Sequence, residues 1–358
     1  MAISFKRIAT AAAALAFAFG LGAAPVQAAE KKDFKVAWTI YAGWMPWPYA
    51  QQAGIVKKWA DKYGIAIELV QINDYVESIN QYTAGKFDGV VMTNMDTLTI
   101  PAAGGVDSTV LIVGDYSNGN DGIVLKKGKS LKDIKGQKVN LVELSVSHYL
   151  LARALDSVKM SEKDVKVVNT SDADMVAAAS SKDVTALATW NPQLAEILKT
   201  PARTLAYDSS KIPGEIMDLT VVNTQTLKDN PNLGKALVGA WFETMAIMSK
   251  DDAAGRAART EMGKLSGTDL AGYDAQLKAT FMFYEPKAAL AHARSPELVK
   301  AMDLVRTFSF DHGLLGEGAK TKDAVGIAFP NGKILGDTKN VKMRFDDAFQ
   351  QMAAEGKL

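Results

Sequence analysis

Short apolar runs bounded by turn residues alternate with amphipathic stretches of helical period over roughly the first two thirds of the chain. That alternation predicts an α/β fold with largely parallel sheets. "FKVAWTI" (Phe34 to Ile40) reads as a strand. A helix follows from Pro46 or Pro48, where proline suits a first turn, and closes at the glycine of "KKWADKYG". "IAIELVQI" is the second strand and "NDYVESINQYTAG" the second helix, with Asp74 and Glu77 at capping-box spacing and Gly85 as its stop. "FDGVVMT" is the third strand and runs into Asn94.

The pattern restarts after "TVLIVGDYSNGNDGIVLKK", whose Gly/Asn/Asp-rich centre separates two extended runs and marks a crossing between lobes. "QKVNLVEL", "VKVVN" and "VTALATW" predict the strands of a second, smaller α/β unit, with helices starting near Ser145, Asp172 and Pro192. "RTLAYD" and "EIMDLTVVN" (Glu215 to Asn223) return the chain to the first unit. From Thr226 onward the pattern is mainly helical. In "LGKALVGAWFETMAIM", Leu233, Leu237, Trp241 and Met245 fall at spacings of four on one core face. A hairpin-like piece, "VGIAFPNGKILG", precedes the last amphipathic helix.

The first residues belong to a different category. A basic start at Lys6 and Arg7, an Ala/Leu/Phe-rich run and the small-residue site ending at Ala28 predict a cleaved secretory signal over residues 1–28. The apolar core is shorter than the ~20 residues a membrane span needs. Cysteine is absent, which excludes disulfides, thiolate metal sites and a cysteine nucleophile, and leaves no residue to carry a bacterial lipid anchor. Release into a periplasm is the expected localisation. The formal charge is +1, and loss of Lys6 and Arg7 takes the mature chain to about −1 with both signs interspersed, which argues against a nucleic-acid partner. A mature length of about 330 residues exceeds one ordinary core and suggests two lobes.

Several segments together resemble the nitrate/sulfonate/taurine-type substrate-binding proteins of ABC importers. They are "AGWMPWPYAQQAGIVKKWADKYGIAIELV", "INQYTAGKFDGVVMTNMDTL", "GDYSNGNDGIVLKKGKSLKDIKGQKVNLVELSVSHYLLARAL" and "TWNPQ", in that order, and the likeness runs from about Phe34 to Asn223. Within that family the chain looks most like the binding proteins described as urea transporters and associated with urea or guanidine carboxylase systems. The resemblance implies a two-lobe, type II periplasmic binding-protein fold with hinge crossovers and a helical C-terminal region. It also implies a monomer that closes on one small solute, docks on an inner-membrane permease, carries no cofactor and catalyses nothing. Lobe I is expected over residues 29–118 and 219–358, and lobe II over 119–218.

Ligands of open α/β sheets sit beyond the carboxyl ends of the strands. Those ends here are Trp38 to Trp44, Thr93 to Asp96, Leu141 to Ser145 and Ala188 to Asn191, with Asp218 on the returning strand. Anion binders of this family would be expected to leave helix N-termini open to the ligand. This chain instead places Asp96 inside one terminus and Glu143 just before another, so the expected sign of the site is reversed. Acids walled by flat rings suit a small planar cation or donor-rich amide. The expected ligand is therefore guanidinium, or urea, with Trp38, Tyr41, Trp44 and Trp190 as walls, Asn94 as an acceptor, and Asp96, Glu143 and Asp218 as the acids.

Each residue also has a plainer reading. Asp96 and Glu143 suit helix caps, Asp218 suits a cross-hinge ion pair, and Trp47, Trp59 and Trp241 suit the core. Asp115, Asn118, Asn120 and Asp121 crowd one connection, where turn chemistry accounts for them better than a calcium loop. His148, His292 and His312 show no metal-ligand spacing, so no metal site is expected. Two other functions compete: a receptor for an anion such as taurine, an alkanesulfonate or nitrate, and an enzyme like the thiamine-pyrimidine-precursor synthases that share the architecture. No lysine or histidine stands at a predicted strand end in the crevice to serve the latter.

Overall fold

The computed structural model describes residues 31–358, so the predicted secretory signal lies outside the described residues. The strands are β1 (Asp33–Trp38), β2 (Ala66–Gln71), β3 (Gly89–Thr93), β4 (Ser108–Ser117), β5 (Asp121–Leu125), β6 (Lys138–Leu141) and β7 (Lys166–Asn169). They continue with β8 (Ala186–Trp190), β9 (Thr204–Asp208), β10 (Met217–Asn223), β11 (Thr280–Met282), β12 (Gly326–Ala328), β13 (Ile334–Leu335) and β14 (Val341–Phe345). They form two sheets: one in the order β13-β12-β14-β4-β10-β3-β1-β2, with β11 added on β4, and a smaller one in the order β7-β6-β8-β5-β9. This is the two-lobe, type II periplasmic binding-protein fold, with mixed rather than purely parallel pairing.

Apolar content along the central strands explains why both faces of the large sheet are covered. Every residue of β3 is buried, as are Val110, Leu111, Ile112 and Val113 of β4, the continuous apolar pattern of a strand with helices on each side. Helix Pro231–Met248 packs against helix Ile55–Lys62, and its Trp241 lies against Trp47 with ring centroids 5.1 Å apart. Trp47 also donates its indole N–H to Thr220 Oγ1 at 3.3 Å, which fixes it as core. Trp59 is only half-buried and donates to Glu243 Oε2.

The single helix expected from Pro46 to Gly64 is broken. Gly54 adopts φ 75° and separates helix Pro46–Gln52 from helix Ile55–Lys62, a left-handed turn that glycine enters without a Cβ clash. The C-terminal third also holds more sheet than its helical periodicity suggested. The short strand β11 and the edge group β12, β13 and β14 all join the large sheet.

The chain passes between the sheets twice. It leaves the large sheet after Ser117, enters the small one at Asp121, and returns between Asp208 and Met217. Ser209 ties these crossings together: its Oγ lies 2.6 Å from Ser117 Oγ and accepts the Gly119 N–H at 2.8 Å. Among the described residues no helix is long and apolar enough to cross a membrane.

Candidate functional site

The crossings and the carboxyl ends of β1, β3 and β8 converge on a small enclosed chamber of about 20 Å³. From the large sheet come Tyr41 and Trp44, on the turn after β1, together with Thr93 at the end of β3 and Asp218 at the start of β10. Asp121, the first residue of β5, and Trp190, the last of β8, come from the small sheet and stand opposite one another in its register. Tyr75 completes the wall from the start of helix Tyr75–Thr83.

The rings brace each other. Tyr41 meets Trp44 edge-on at 5.0 Å, Trp44 stacks on Tyr75 at 5.7 Å, and Tyr75 meets Trp190 edge-on at 5.7 Å, geometries favoured by the aromatic quadrupole. The phenols are anchored behind the wall. Tyr75 donates its hydroxyl to Asp96 Oδ2 at 2.6 Å and accepts the Thr93 N–H at 3.0 Å. Tyr41 donates to Asp115 Oδ1 at 3.3 Å and accepts from Asn120 Nδ2 at 3.1 Å.

Asp115 and Asp218 face one another across the antiparallel β4–β10 pairing. Both are buried, and neither Oδ2 atom has a hydrogen-bond partner. Two buried carboxyl groups so placed disfavour double ionisation unless a cation compensates them. Burial pushes Asp115 up to about 7, partly offset by hydrogen bonds from Asp218 and Tyr41. Burial and then the neighbouring Asp115 charge raise Asp218 well above the usual carboxylate range, so the pair holds one proton. Burial likewise lifts Asp121 to about 6. Among the described residues, no lysine, arginine or histidine lines the chamber.

The structure separates the sequence-predicted residues into two groups. Tyr41, Trp44, Trp190 and Asp218 line the chamber. Trp38, although buried, is not among its lining residues. Asn94 is spent on the backbone, accepting the Met217 N–H at 3.1 Å and donating to the Glu215 carbonyl at 3.0 Å. Asp96 sits one shell behind, holding Tyr75 and Thr93, and burial raises it to about 6 against those two hydrogen bonds. Glu143 is exposed and lines a separate recess beside Leu144 and the outer side of Asp96.

Tyr75 and Asp121 of the lining escaped the sequence reading, as did Asp115, which faces the lining Asp218 from β4. The acids had been assigned to turn chemistry, yet both belong to strands. A larger open recess of about 750 Å³ adjoins this region, lined by Ile40, Asp172, Asn191 and Gln276 among others. It lacks the aromatic cage and the facing carboxyls.

A family model described as "NMT1/THI5 like" matches residues 50–253, more than half of the chain. The chain belongs to this family. Among structures, the alkanesulfonate-binding protein SsuA of Xanthomonas axonopodis pv. citri, solved with MOPS bound, superposes with a TM-score of 0.67 at 17% identity. That match covers 81% of this chain and 96% of the other. The periplasmic nitrate-binding protein NrtA of Synechocystis PCC 6803 gives a TM-score of 0.64 at 14% identity, covering 91% of this chain and 89% of the other. At these identities the likeness is one of fold. A Brucella abortus protein whose name calls it a binding protein is 26% identical over 145 residues, a match that spans 39% of this chain and 44% of that relative.

Proposed function

We propose that this NMT1/THI5-like protein is the periplasmic solute receptor of an ABC importer and that its solute is guanidinium. One observation carries the choice of ligand: Asp218, whose buried Oδ2 lacks a hydrogen-bond donor, and Asp121 line an aromatic chamber that no basic side chain among the described residues lines, with Asp115 facing Asp218 across the β4–β10 pairing. Guanidinium supplies planar N–H donors and a positive charge, and ring faces attract it. The same lining gives a sulfonate or nitrate nothing to neutralise it, although SsuA and NrtA are named for binding such anions. The chamber of about 20 Å³ has room for about one water, so a ligand of four heavy atoms requires its walls to move apart. The synthase reading calls for a lysine and a histidine at the site, and neither is among the residues that line the chamber. A permease is the expected protein partner.

Urea is the second reading, favoured by Trp44. Its indole Nε1–H is buried without an acceptor, and urea offers a carbonyl where guanidinium offers none. The proton held by the Asp115–Asp218 pair would also make the chamber tolerant of a neutral amide.

Calorimetric titration of the leaderless protein with guanidinium, urea, taurine and nitrate separates these readings. A ligand of four heavy atoms at ~1.5 kcal/mol each reaches about 6 kcal/mol, a dissociation constant of tens of micromolar. Guanidinium is expected at or below that value, with urea weaker. Heat from taurine or nitrate and none from guanidinium would overturn the assignment.

A further inference from the structure

Away from the chamber, the fold brings together two histidines that lie far apart in sequence. His148, on helix Val146–Ser157, and His312, which caps helix Pro296–Asp311, both approach Glu162 on the short turn Glu162–Asp164. One ligand atom from each of the three lies within 4.8 Å of the other two. His312 Nε2 stands 2.5 Å from Glu162 Oε2, and His148 Nε2 contacts Oε1. The seam is significant because His148 and Glu162 belong to the segment that carries the small sheet, whereas His312 follows a helix of the C-terminal region.

The geometry points to a divalent transition-metal site, best suited to zinc, formed by His148, Glu162 and His312 and clasping the two parts of the chain together. Two imidazoles and a carboxylate are a set zinc takes readily, leaving a position for water. Three features support it. The Phe308 carbonyl lies 2.9 Å from His312 Nδ1 and can only accept, so Nδ1 keeps a proton, while the hydrogen that Nε2 shares with Glu162 Oε2 is released to solvent when a metal takes its place. The His312 ring is held by stacking on Phe308 at 3.9 Å, with His148 edge-on to it at 5.6 Å. Glu162 Oε1 is buried and lacks a correctly aimed donor despite its contact with His148, and a cavity of about 310 Å³ lined by Glu162 and His312 gives solvent a path to the cluster.

Coordination carries one local cost. His148 Nδ1 accepts the Leu144 N–H at 3.1 Å, which keeps the neutral ring's proton on Nε2. Binding metal through Nε2 moves that proton to Nδ1 and releases the Leu144 amide. Leu144 is an exposed turn residue with φ 64°, so its freed N–H passes to water.

The test uses the leaderless protein stripped with chelator, titrated with Zn²⁺ by calorimetry and with Co²⁺ by ligand-field absorption. The expected result is one metal per chain with micromolar or tighter affinity and Co²⁺ bands of nitrogen and oxygen ligation. His312→Gln and Glu162→Gln should each weaken binding by about 10–100-fold or more, at least the loss seen when outer-shell partners of a metal ligand are removed. Circular dichroism of each variant checks that it is folded. Absence of saturable binding to the wild-type protein, or equal affinity in folded His312→Gln and Glu162→Gln, would overturn the proposal and leave a hydrogen-bonded contact. Neither result bears on guanidinium, whose chamber shares none of these residues.

Discussion

At the scale of single residues, the proposed cationic ligand and the pH response both rest on the Asp115–Asp218 pair. With no cation present it keeps one proton; a bound guanidinium would replace that proton as the compensating charge. Asp218→Asn removes a charge-assisted partner worth about 1.5–3 kcal/mol, so calorimetry should show guanidinium weakened about 10- to 150-fold and urea by much less. Trp44→Phe keeps the wall but deletes the orphaned N–H, and should weaken urea more than guanidinium; the reverse order would show that the indole meets no carbonyl. The pH dependence follows from the sign of the shifts. Asp96, Asp121, Asp115 and Asp218 are all raised by burial above the ordinary unfolded value near 4. The folded state therefore binds more protons between about pH 4 and 7, and its stability falls as pH rises through that window. His292, pushed down by burial, acts in the opposite sense just below pH 6.5, one group against six, since burial raises Asp172 and Asp346 as well. Glu162 and Asp107, which are lowered, matter only at more acidic pH. Ligand-free protein should melt higher at pH 5 than at pH 8, while guanidinium affinity should rise over the same interval as Asp121 and Asp115, raised to about 6 and about 7, lose their protons.

At the scale of elements, the turn Ala42–Trp44 after β1 sets the cage, and Gly43 lets it pack. A Cβ there would overlap Asp115 Oδ2 and press on the Tyr41 ring. Gly43→Ala should leave the far-ultraviolet spectrum unchanged and abolish guanidinium heat, since it displaces the acid and the phenol together; full retention of binding would remove Asp115 from the site. The sequence disclosed this turn because aromatic crowding at a strand end is conspicuous, and it disclosed β1, β2 and β3 because each is a bounded apolar run. It hid Asp115 and Asp121. They fall in "GDYSNGND", whose composition signals a turn, yet the two ends of that segment continue as strands and only its centre crosses over. Tyr75 was hidden differently, as an ordinary first-turn residue whose hydroxyl reaches Asp96 only once helix Tyr75–Thr83 packs beside β3. Glu143 drew attention by its place before a helix, but backbone direction at that turn leaves it exposed. The hairpin-like reading of "VGIAFPNGKILG" located β12 and β13, whereas β11 and β14 fall in a stretch read as helical and join the large sheet at its edges.

At the scale of the whole molecule, the chamber is made by both sheets, with Tyr41, Trp44 and Asp218 on one side and Asp121 and Trp190 on the other. A solute held there has its differential affinity for the closed arrangement, which is what shifts a hinge equilibrium. The hinge is the pair of crossings joined by Ser209, and Gly119 within it adopts φ 113°, a conformation that costs a residue with a Cβ roughly 1–3 kcal/mol. Gly119→Ala changes nothing in the cage, yet it should lower guanidinium affinity severalfold by straining the crossing that the closed form requires. Small-angle scattering gives the complementary readout: saturating guanidinium should contract the wild-type protein and raise its melting temperature, by a stabilisation of about 2.7 kcal/mol at one hundred times the dissociation constant. Trp190→Ala removes the wall contributed by the small sheet while leaving Asp218 in place. If closure is driven by a solute bridging the sheets, that variant retains some affinity but loses most of the contraction. Equal contraction in Trp190→Ala and wild type would mean that the sheets close on each other without the solute between them.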